Sequence, residues 1–440
     1  KKAAAEHPVR WHIEQKAARS FKKPEQAFAE MEKYDLVILD GVSSRESKST
    51  YESYLPLIAQ SNKTIITPNW LSQPLAQKGL EKHQQTQVQA YWQNAGRINL
   101  NNLLSYLASD VLALSQAASL SLTPPVIFPP KGLYHPDMAG LVVSSLEHYL
   151  GWRAAPAEQP KIALLFNRAS IETEQTQLVD ETIRAIEARG ATAVPFFFEL
   201  ARGEQNYDEL LFLPGHTSPE VDLIINFRNI HWANQRKVEF EKFGVPVLQA
   251  MTYYSGDTKA WEQDVQGVDA GMMAFTLVLP EGAGVTDPLI VAASDRRQST
   301  IEIIDYQHEH LINKAMNLVK LKYKANRDKR LTVFVWGDQD VGASFLNVPE
   351  SISAIGNRLN AEGYNIPSQD AEFVTSRVKR ILDPFYRDYQ LDALLEDDLA
   401  DLMPIHEYEK WFATLPNFLQ ADVNDYWGRP QDNFMAVKRD

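Results

Sequence analysis

The fold is decided by the stretch Lys161–Phe198, KIALLFNRASIETEQTQLVDETIRAIEARGATAVPFFF. Its first six residues, Lys161–Phe166, form an apolar run of the length of a buried strand. Apolar residues then recur on one helical face, at Leu178, Val179, Ile183 and Ile186. Gly190 is a helix stop, and Thr192–Phe198 has the aromatic and β-branched residues of a second strand. The stretch therefore predicts a strand–helix–strand unit.

The same alternation continues on both sides of this unit. Val221–Phe227 and Val245–Met251 are two further predicted strands, and four strands separated by helices predict a doubly wound layer. An earlier unit is predicted from Asp35–Asp40 and Lys63–Thr67, and a later one begins with Leu331–Trp336. The predicted fold class is α/β, with several doubly wound parallel-sheet units joined by helical and proline-rich connectors.

Two connectors suggest domain boundaries. Leu122–Asp137 contains five prolines and is predicted to be an extended linker, whereas Ile301–Lys324 has the spacing of a helix. We therefore expect three parts: an N-terminal α/β domain (1–130), a second α/β domain (131–300), and a helical connector with the start of a third α/β domain (301–440). In the third part, Asn347 and Glu350 have the spacing of a helix cap.

The loop GDQDVGA has the glycine spacing of a nucleotide-binding P-loop, with Gly337 and Gly342 separated by four residues. Such a loop requires Lys after the second glycine, where this chain has Ala343. Asp338 and Asp340 would also repel a phosphate. We therefore predict that this chain does not itself bind ATP through this loop.

Composition argues against several classes of function. The net charge of −13 disfavours nucleic acid as a partner, and the absence of cysteine excludes disulfides and thiolate metal sites. Apolar runs such as Met272–Pro280 are strand-sized, far below the roughly 18 residues of a membrane span.

The basic run Lys320–Arg330 is either a solvated helix end or a docking patch for an acidic partner subunit. The chain starts at Lys1, so we expect a processed or truncated piece, and we expect it in the cytoplasm.

A series of short motifs between Ala95 and Pro430 resembles one family, the large subunit of cobaltochelatase and the porphyrin-binding large subunit of magnesium chelatase. The order of the motifs carries the resemblance: AGRINLNNLLSYLA, GLYHPD, GVPVLQAM, Trp261, LVLPEGAG with Asp287 and Pro288, ASFLNVPESI, LNAEGYNI and MPIHEYEKWFATLPNFLQADVNDYWGRP.

The resemblance implies a subunit that holds a tetrapyrrole (a corrinoid precursor, a porphyrin or haem) while a divalent metal ion is inserted or removed. ATP would be hydrolysed by separate partner subunits. The loop WGDQDVG replaces the family's Asn-x-Pro-Pro-Gly type of turn, which leaves open a divergent, haem-dechelating homologue. The family's His-x-Gly-Thr-His-Gly segment is absent from these 440 residues, so the catalytic residues are unknown. Two other functions stay open: a non-catalytic tetrapyrrole or haem carrier or scaffold, and a periplasmic-binding-like metabolite receptor.

Tetrapyrrole binding requires a roomy apolar cleft, with polar groups near the ring centre and cations for its carboxylates. Tyr134, His135 and Asp137 form the best local cluster, and His135 is interpreted either as a ligand or proton relay, or as a structural hydrogen-bonding residue. Arg168 and Arg228, like Arg296 and Arg297, follow predicted strands, where open α/β sheets bind ligands. The alternative for these arginines is an exposed surface position.

Three more candidates, Trp261, Glu281 and Trp336, match or adjoin the family's motifs and are candidates for lining a cleft. Core packing is the alternative for the tryptophans, and a solvated loop position is the alternative for Glu281. His308 and His310 resemble a metal pair, but residues two apart on a helix do not face each other. We therefore predict no resident metal site.

Overall fold

The computed structural model describes most of the chain: residues 2–5, 7–17, 20–39, 52, 55–67, 78–94, 96–199, 205–295, 300–334, 346–368, 370–382, 391–433 and 436–437. Contacts between residues divide the chain into two compact units, Lys1–Lys320 and Leu321–Asp440. The three-part division expected from the connectors remains a prediction.

The described strands are β1 (Leu36–Ile38), β2 (Thr64–Ile66), β3 (Lys131–Tyr134), β4 (Val142–Val143), β5 (Lys161–Leu165), β6 (Thr192–Phe198), β7 (Leu223–Asn226), β8 (Val247–Tyr253), β9 (Ser255–Gly256), β10 (Thr286–Asp295) and β11 (Thr300–Ile303).

The described helices of the first unit are α1 (Lys2–Ala5), α2 (Pro24–Met31), α3 (Leu55–Gln60), α4 (Lys82–Asn94), α5 (Gly96–Tyr106), α6 (Leu146–Arg153), α7 (Arg168–Glu172), α8 (Gln177–Glu187), α9 (Ala233–Phe243), α10 (Thr258–Glu262), α11 (Leu279–Gly282) and α12 (Asp305–Tyr323), which ends just beyond the unit boundary. Those that follow are α13 (Val348–Ala361), α14 (Ala371–Leu382), α15 (Leu391–Glu396), α16 (Ile405–Phe412) and α17 (Asn417–Trp427).

One nine-stranded sheet dominates the first unit, with the order β11-β10-β8-β7-β5-β6-β3-β4 and β9 paired to β10. Strands β10, β8, β7, β5 and β6 are mutually parallel, whereas β3, β4 and β11 pair antiparallel. Strands β1 and β2 form a separate parallel pair. The predicted mixed α/β class with a mostly parallel sheet is confirmed.

The sheet is covered on both faces because its strands are apolar on both sides. Ile162 and Leu164 of β5 belong to one buried cluster, which is completed by apolar residues of α8 and α12. Ala163 and Leu165 belong to the other cluster, which includes residues of α6 and α9. Each fully buried aliphatic side chain contributes roughly 1.5–3 kcal/mol, so these two clusters stabilise the doubly wound layer.

Two local predictions were wrong, and one further segment has a conformation that was not predicted. The proline-rich segment Leu122–Asp137 is not a linker throughout, because it contains β3, which pairs with β6 in the main sheet. No strand was predicted for the apolar run Met272–Pro280, which contains a π-helical turn at Ala274–Val278 that leads into α11. Residues 331–334 lie in no strand, and Phe334 is 93% exposed, so the described part of the predicted strand Leu331–Trp336 is not formed.

The second unit is helical over its described residues. Asn347 caps α13 as predicted, because its side-chain oxygen accepts a hydrogen bond from the Glu350 backbone N–H at 3.2 Å. Across the described part of the whole chain, no helix is both long and apolar enough to span a membrane.

The order of the strands creates a topological switch point. The chain passes from β5 through α8 to β6 on one side, and from β7 through α9 to β8 on the other. Strands β5 and β7 are neighbours, so the segments that follow them leave the sheet in opposite directions. Open α/β sheets bind ligands in the crevice that such a divergence leaves at the carboxyl ends of the strands.

Candidate functional site

The segment Tyr134–Asp137 is fixed to one helix, α8, by all three of its candidate side chains. The Tyr134 hydroxyl donates to Asp180 Oδ1 at 2.8 Å. The His135 ring lies 3.3 Å from Glu187 Oε1, measured from Nε2. The two carboxylate oxygens of Asp137 accept bonds of 2.5 and 2.6 Å from the guanidinium of Arg184. The α8 partners are spaced four and three residues apart, so they share one face of the helix.

Both ring nitrogens of His135 already have hydrogen-bonding partners. The backbone N–H of Asp137 donates to Nδ1 at 3.1 Å, so Nε2 carries the proton and donates to Glu187. The ring is fully buried and packs edge-on against Trp152, with centroids 5.0 Å apart. This geometry favours the structural interpretation of His135 over the ligand interpretation.

The protonation states of Tyr134 and Asp137 also suit a role in holding this segment against α8. Burial raises the pKa of the Tyr134 phenol, so the hydroxyl keeps its proton for the bond to α8. The hydrogen bonds from Arg184 lower the pKa of Asp137, so this carboxyl stays ionised. Neither side chain is left available for acid–base chemistry near neutral pH.

This segment lies at the wrong edge of the sheet to act together with the two candidate arginines. Strand β3 is antiparallel to β6, so residues after Tyr134 begin at the edge where β6 starts. Arg168 and Arg228 follow the carboxyl ends of β5 and β7, at the opposite edge. The structure thus brings the two arginines to neighbouring strand ends and separates them from Tyr134, His135 and Asp137.

Arg168 is occupied by carboxylates. Its guanidinium lies 2.8 Å from Glu172 Oε1 and 2.6 Å from Glu199 Oε1. Burial raises the pKa of Glu172, and the neighbouring Arg168 opposes that shift. A ligand carboxylate would have to compete with both of these acidic groups.

Arg228 has a different environment. It is only 4% exposed, yet no described carboxylate forms an ion pair with it. Its Nη1 donates to the Phe198 carbonyl oxygen at 3.0 Å, and its guanidinium carbon lies 4.5 Å from the centroid of the Phe198 ring. Burial lowers the pKa of Arg228 to about 10, so it remains a cation at neutral pH. A buried cation without an anion is costly, and a ligand carboxylate would relieve that cost.

The charge of Arg228 is influenced by a second buried guanidinium and by a buried carboxylate. A second buried guanidinium, that of Arg236, lies 2.5 Å from the buried carboxylate of Glu239. Glu239 also accepts bonds from the Gln205 backbone N–H at 2.7 Å and the Tyr207 hydroxyl at 3.0 Å. The charges of Arg236 and Glu239 both act on Arg228.

The other candidates lie elsewhere. Trp261 on α10 packs against the cluster around Met251 and Tyr253, and its indole N–H donates to the Gly267 carbonyl at 3.1 Å. Glu281 is exposed on α11. Trp336, Arg296 and Arg297 lie outside the described residues.

His308 and His310 do not form a metal pair. Both are on α12, where His308 is buried with Nε2 2.8 Å from Thr182 Oγ1, and His310 is exposed. Burial lowers the pKa of His308. Within the described part of the chain, no group of three His, Asp or Glu side chains could hold a metal ion.

Sequence reasoning missed three aromatic residues on or against the segment that follows β7. The His231 ring packs at an angle of 40° against the Phe275 ring, with centroids 4.6 Å apart, and the Trp232 ring lies 5.8 Å from the His231 ring. The Ile230 backbone N–H donates to the Phe275 carbonyl at 3.0 Å, which holds the π-helical turn against the segment after β7. One signal in the sequence points to them, because His231 and Trp232 closely follow the predicted strand Val221–Phe227, where open α/β sheets bind ligands.

Comparison with known proteins identifies the family. The family model described as CobN/Magnesium Chelatase matches residues 89–440. The chain belongs to the CobN/magnesium chelatase family. Among curated relatives of this family member, the chloroplastic magnesium-chelatase subunit ChlH of Oryza sativa subsp. indica is 23% identical over 369 residues, which are 78% of this chain and 26% of that protein. The aerobic cobaltochelatase subunit CobN of Pseudomonas aeruginosa is 26% identical over 373 residues, 79% of this chain and 28% of that protein.

A solved structure has the same fold. The catalytic subunit of cobaltochelatase from Mycobacterium tuberculosis superposes with a TM-score of 0.59 at 20% identity, over 92% of this chain and 33% of that one. This family member therefore spans about a quarter to a third of the length of the proteins it matches.

The family match also separates two possible ligand sites. A cleft of about 1040 Å³ lies between the segment Val9–Glu14, the exposed edge of β1 and the end of α5, at the upper end of ligand-pocket sizes. None of the described candidate residues lines this cleft, and most of its lining precedes residue 89. The carboxyl ends of β5 and β7, with Arg228, lie within the matched region, so the family relationship bears on this switch point and not on the cleft of about 1040 Å³.

Proposed function

We propose that this chain forms part of the tetrapyrrole-binding large subunit of a chelatase, which inserts a metal ion into a corrinoid or porphyrin ring or removes one from it. The family match over residues 89–440 carries the proposal, because it covers the whole main sheet. The metal ion is a substrate or product of this reaction and not a resident cofactor. ATP hydrolysis is assigned to partner subunits, in keeping with Ala343 in place of the P-loop lysine. A cytoplasmic location, where ATP is available to such partners, belongs to the same proposal.

The proposed ligand site is the crevice at the carboxyl ends of β5 and β7. A tetrapyrrole with carboxylate side chains combines a large apolar face with anionic groups at its rim. Arg228 supplies a buried cation with unused N–H donors, and Trp232, 40% exposed, supplies apolar surface beside it. The chain's residues would bind and orient the ring in this crevice, and the ring's carboxylate would replace water around Arg228.

An absorbance titration tests the proposal. The chain is titrated with metal-free protoporphyrin, a metal-free corrinoid precursor and haem, and the Soret or corresponding band is followed. We expect a saturable shift with at least one of these macrocycles. No shift with any of them would refute tetrapyrrole binding and would favour a metabolite receptor.

Turnover separates an enzyme from a carrier. Binding that is followed by metal insertion or release in the presence of ATP and the partner subunits supports a chelatase. Tight binding without turnover under the same conditions would support a carrier or scaffold.

A further inference from the structure

The ten histidines of the chain differ in what their rings contact, and His231 stands apart. The other partly or fully buried rings have polar partners: His7 bonds to Ser105, His135 to Glu187 and His308 to Thr182. His12, His83 and His216 are exposed and lie beside carboxylates, and His148, His310 and His406 are exposed. His231 is half-buried, packs at an angle against Phe275, and forms no hydrogen bond with any described residue.

The backbone around His231 is irregular on both sides. Trp232 has φ of 53° and ψ of 60°, a left-handed conformation that is unfavourable for a bulky residue. The facing segment Ala274–Val278 is a π-helical turn. Strained backbone and π-helical turns are both concentrated at functional sites, because structure that costs stability is retained where it positions a ligand.

The position of His231 relative to Arg228 matches a ligand with a polar centre and an anionic rim. The two residues are three positions apart on the segment after β7, so their backbones are separated by at most about 10 Å. Trp232 and Met273 are 40% and 38% exposed, and they add apolar surface to the same segments. An imidazole nitrogen with no protein partner is a good ligand for a transition-metal ion.

We propose that His231 faces the metal-bearing centre of the macrocycle and donates an imidazole lone pair to the metal, while Arg228 holds a carboxylate at the rim. This inference rests on the proposed function and adds to it the residue that contacts the metal. The bond is a dative one, from a neutral ring nitrogen to the ion, so it requires no oxidant, reductant or leaving group. Trp232 and Phe275 position the imidazole and contact the face of the ring.

Two substitutions test the role of His231. His231→Phe keeps an aromatic ring that can pack against Phe275 but removes both nitrogens, and His231→Ala opens a space that added imidazole can fill. His310→Ala is the matched control, because His310 is an exposed helical histidine far along the sequence. Far-UV circular dichroism establishes that each variant is folded.

The readout is spectroscopic and does not depend on turnover. Iron(III) protoporphyrin and metal-free protoporphyrin are each titrated into the wild-type chain and the variants, and electron paramagnetic resonance reports the axial ligand of the iron. We expect His231→Phe to lose the imidazole signature and to weaken binding of the iron porphyrin by about tenfold or more, with metal-free porphyrin changed less than about twofold. Added imidazole should restore the signature in His231→Ala, and His310→Ala should match the wild type.

The outcomes separate this inference from the function on which it rests. If the wild-type chain binds the macrocycles and His231→Phe gives the same iron spectrum and affinity, the assignment of His231 is wrong and tetrapyrrole binding stands. If the wild-type chain binds no macrocycle at all, the proposed function fails and this inference fails with it.

Discussion

Replacing Arg228 by Met should weaken ligand binding strongly and change stability little. Methionine fills a similar space without a charge. Burial lowers the pKa of Arg228 to about 10, which corresponds to a cost of about 3 kcal/mol for holding the cation in the folded protein. The charged hydrogen bond to the Phe198 carbonyl and the contact with the Phe198 ring together stabilise the folded protein by about 4 kcal/mol. The net loss of stability is therefore about 1 kcal/mol, a shift of about 2–4 °C in the unfolding temperature.

The effect on binding should be much larger. Removing one partner of a buried, hydrogen-bonded charge pair costs about 2–5 kcal/mol of binding free energy, so the Kd for a carboxylate-bearing porphyrin should rise by about 30-fold or more. A porphyrin whose carboxylates are esterified should bind the wild type and Arg228→Met with similar affinity. Absorbance titration measures the affinities, and thermal unfolding followed by circular dichroism measures the stability.

Arg168→Met is the matched control at the neighbouring strand end. Arg168 already pairs with Glu172 and Glu199, so its removal leaves a largely buried carboxylate without a cation. We expect about 2 kcal/mol of lost stability and a smaller change in affinity than for Arg228→Met. The reasoning is refuted if Arg228→Met binds the porphyrin as tightly as the wild type, or if it unfolds more than about 10 °C lower.

Three further substitutions test the scaffold. Gly96→Ala should lower the free energy of unfolding, measured in urea, by about 1–3 kcal/mol, because Gly96 has φ of +74° and a Cβ there would lie 2.8 Å from the Glu172 carbonyl oxygen. Gly140→Ala is the control: Gly140 has φ of +84° but open space around it, so this substitution should lower the free energy of unfolding by less. Tyr134→Phe should cost about 1–2 kcal/mol in thermal unfolding because it removes a buried hydrogen bond to α8, and an unchanged unfolding temperature would contradict that role. The wild type should lose stability as the pH falls below about 6.5. Burial lowers the pKa of His308, so the histidine takes up a proton in the unfolded state at a pH where it is still neutral in the folded state. His308→Gln should lack that part of the pH dependence when urea midpoints at pH 7.5 and 5.5 are compared.

The fold was predictable where it depends on local periodicity. The unit Lys161–Phe198 folds as its spacing predicts, with β5, α8 and β6 in place and Gly190 at φ of +81° after the helix. The errors involve pairing between distant segments. Strand β3 follows a proline-rich stretch, and only its antiparallel partner β6 makes Lys131–Tyr134 a strand. No local pattern contains that information.

In the candidate site, too, positions set by local sequence were predictable and contacts between distant segments were not. Arg168 and Arg228 could be placed at strand ends because the strands themselves were readable. That β5 and β7 are neighbours could not be predicted, because the order of strands is set by packing across the whole sheet. The contact between His231 and Phe275 could not be predicted for the same reason, because the two residues are 44 positions apart and only the fold brings them together.

The motifs that identify the family and the residues proposed to bind its ligand are different residues for a physical reason. The side chains of the GLYHPD motif satisfy one another and α8, and Gly96 allows α5 to approach the Glu172 carbonyl. Groups that are fully satisfied within the protein hold the scaffold together and have little capacity left for a substrate. A binding residue must instead keep unused capacity in the free protein, as the guanidinium of Arg228 and the imidazole of His231 do. The proposed ligand site therefore lies among the incompletely satisfied groups at the switch point and not among the family's sequence motifs.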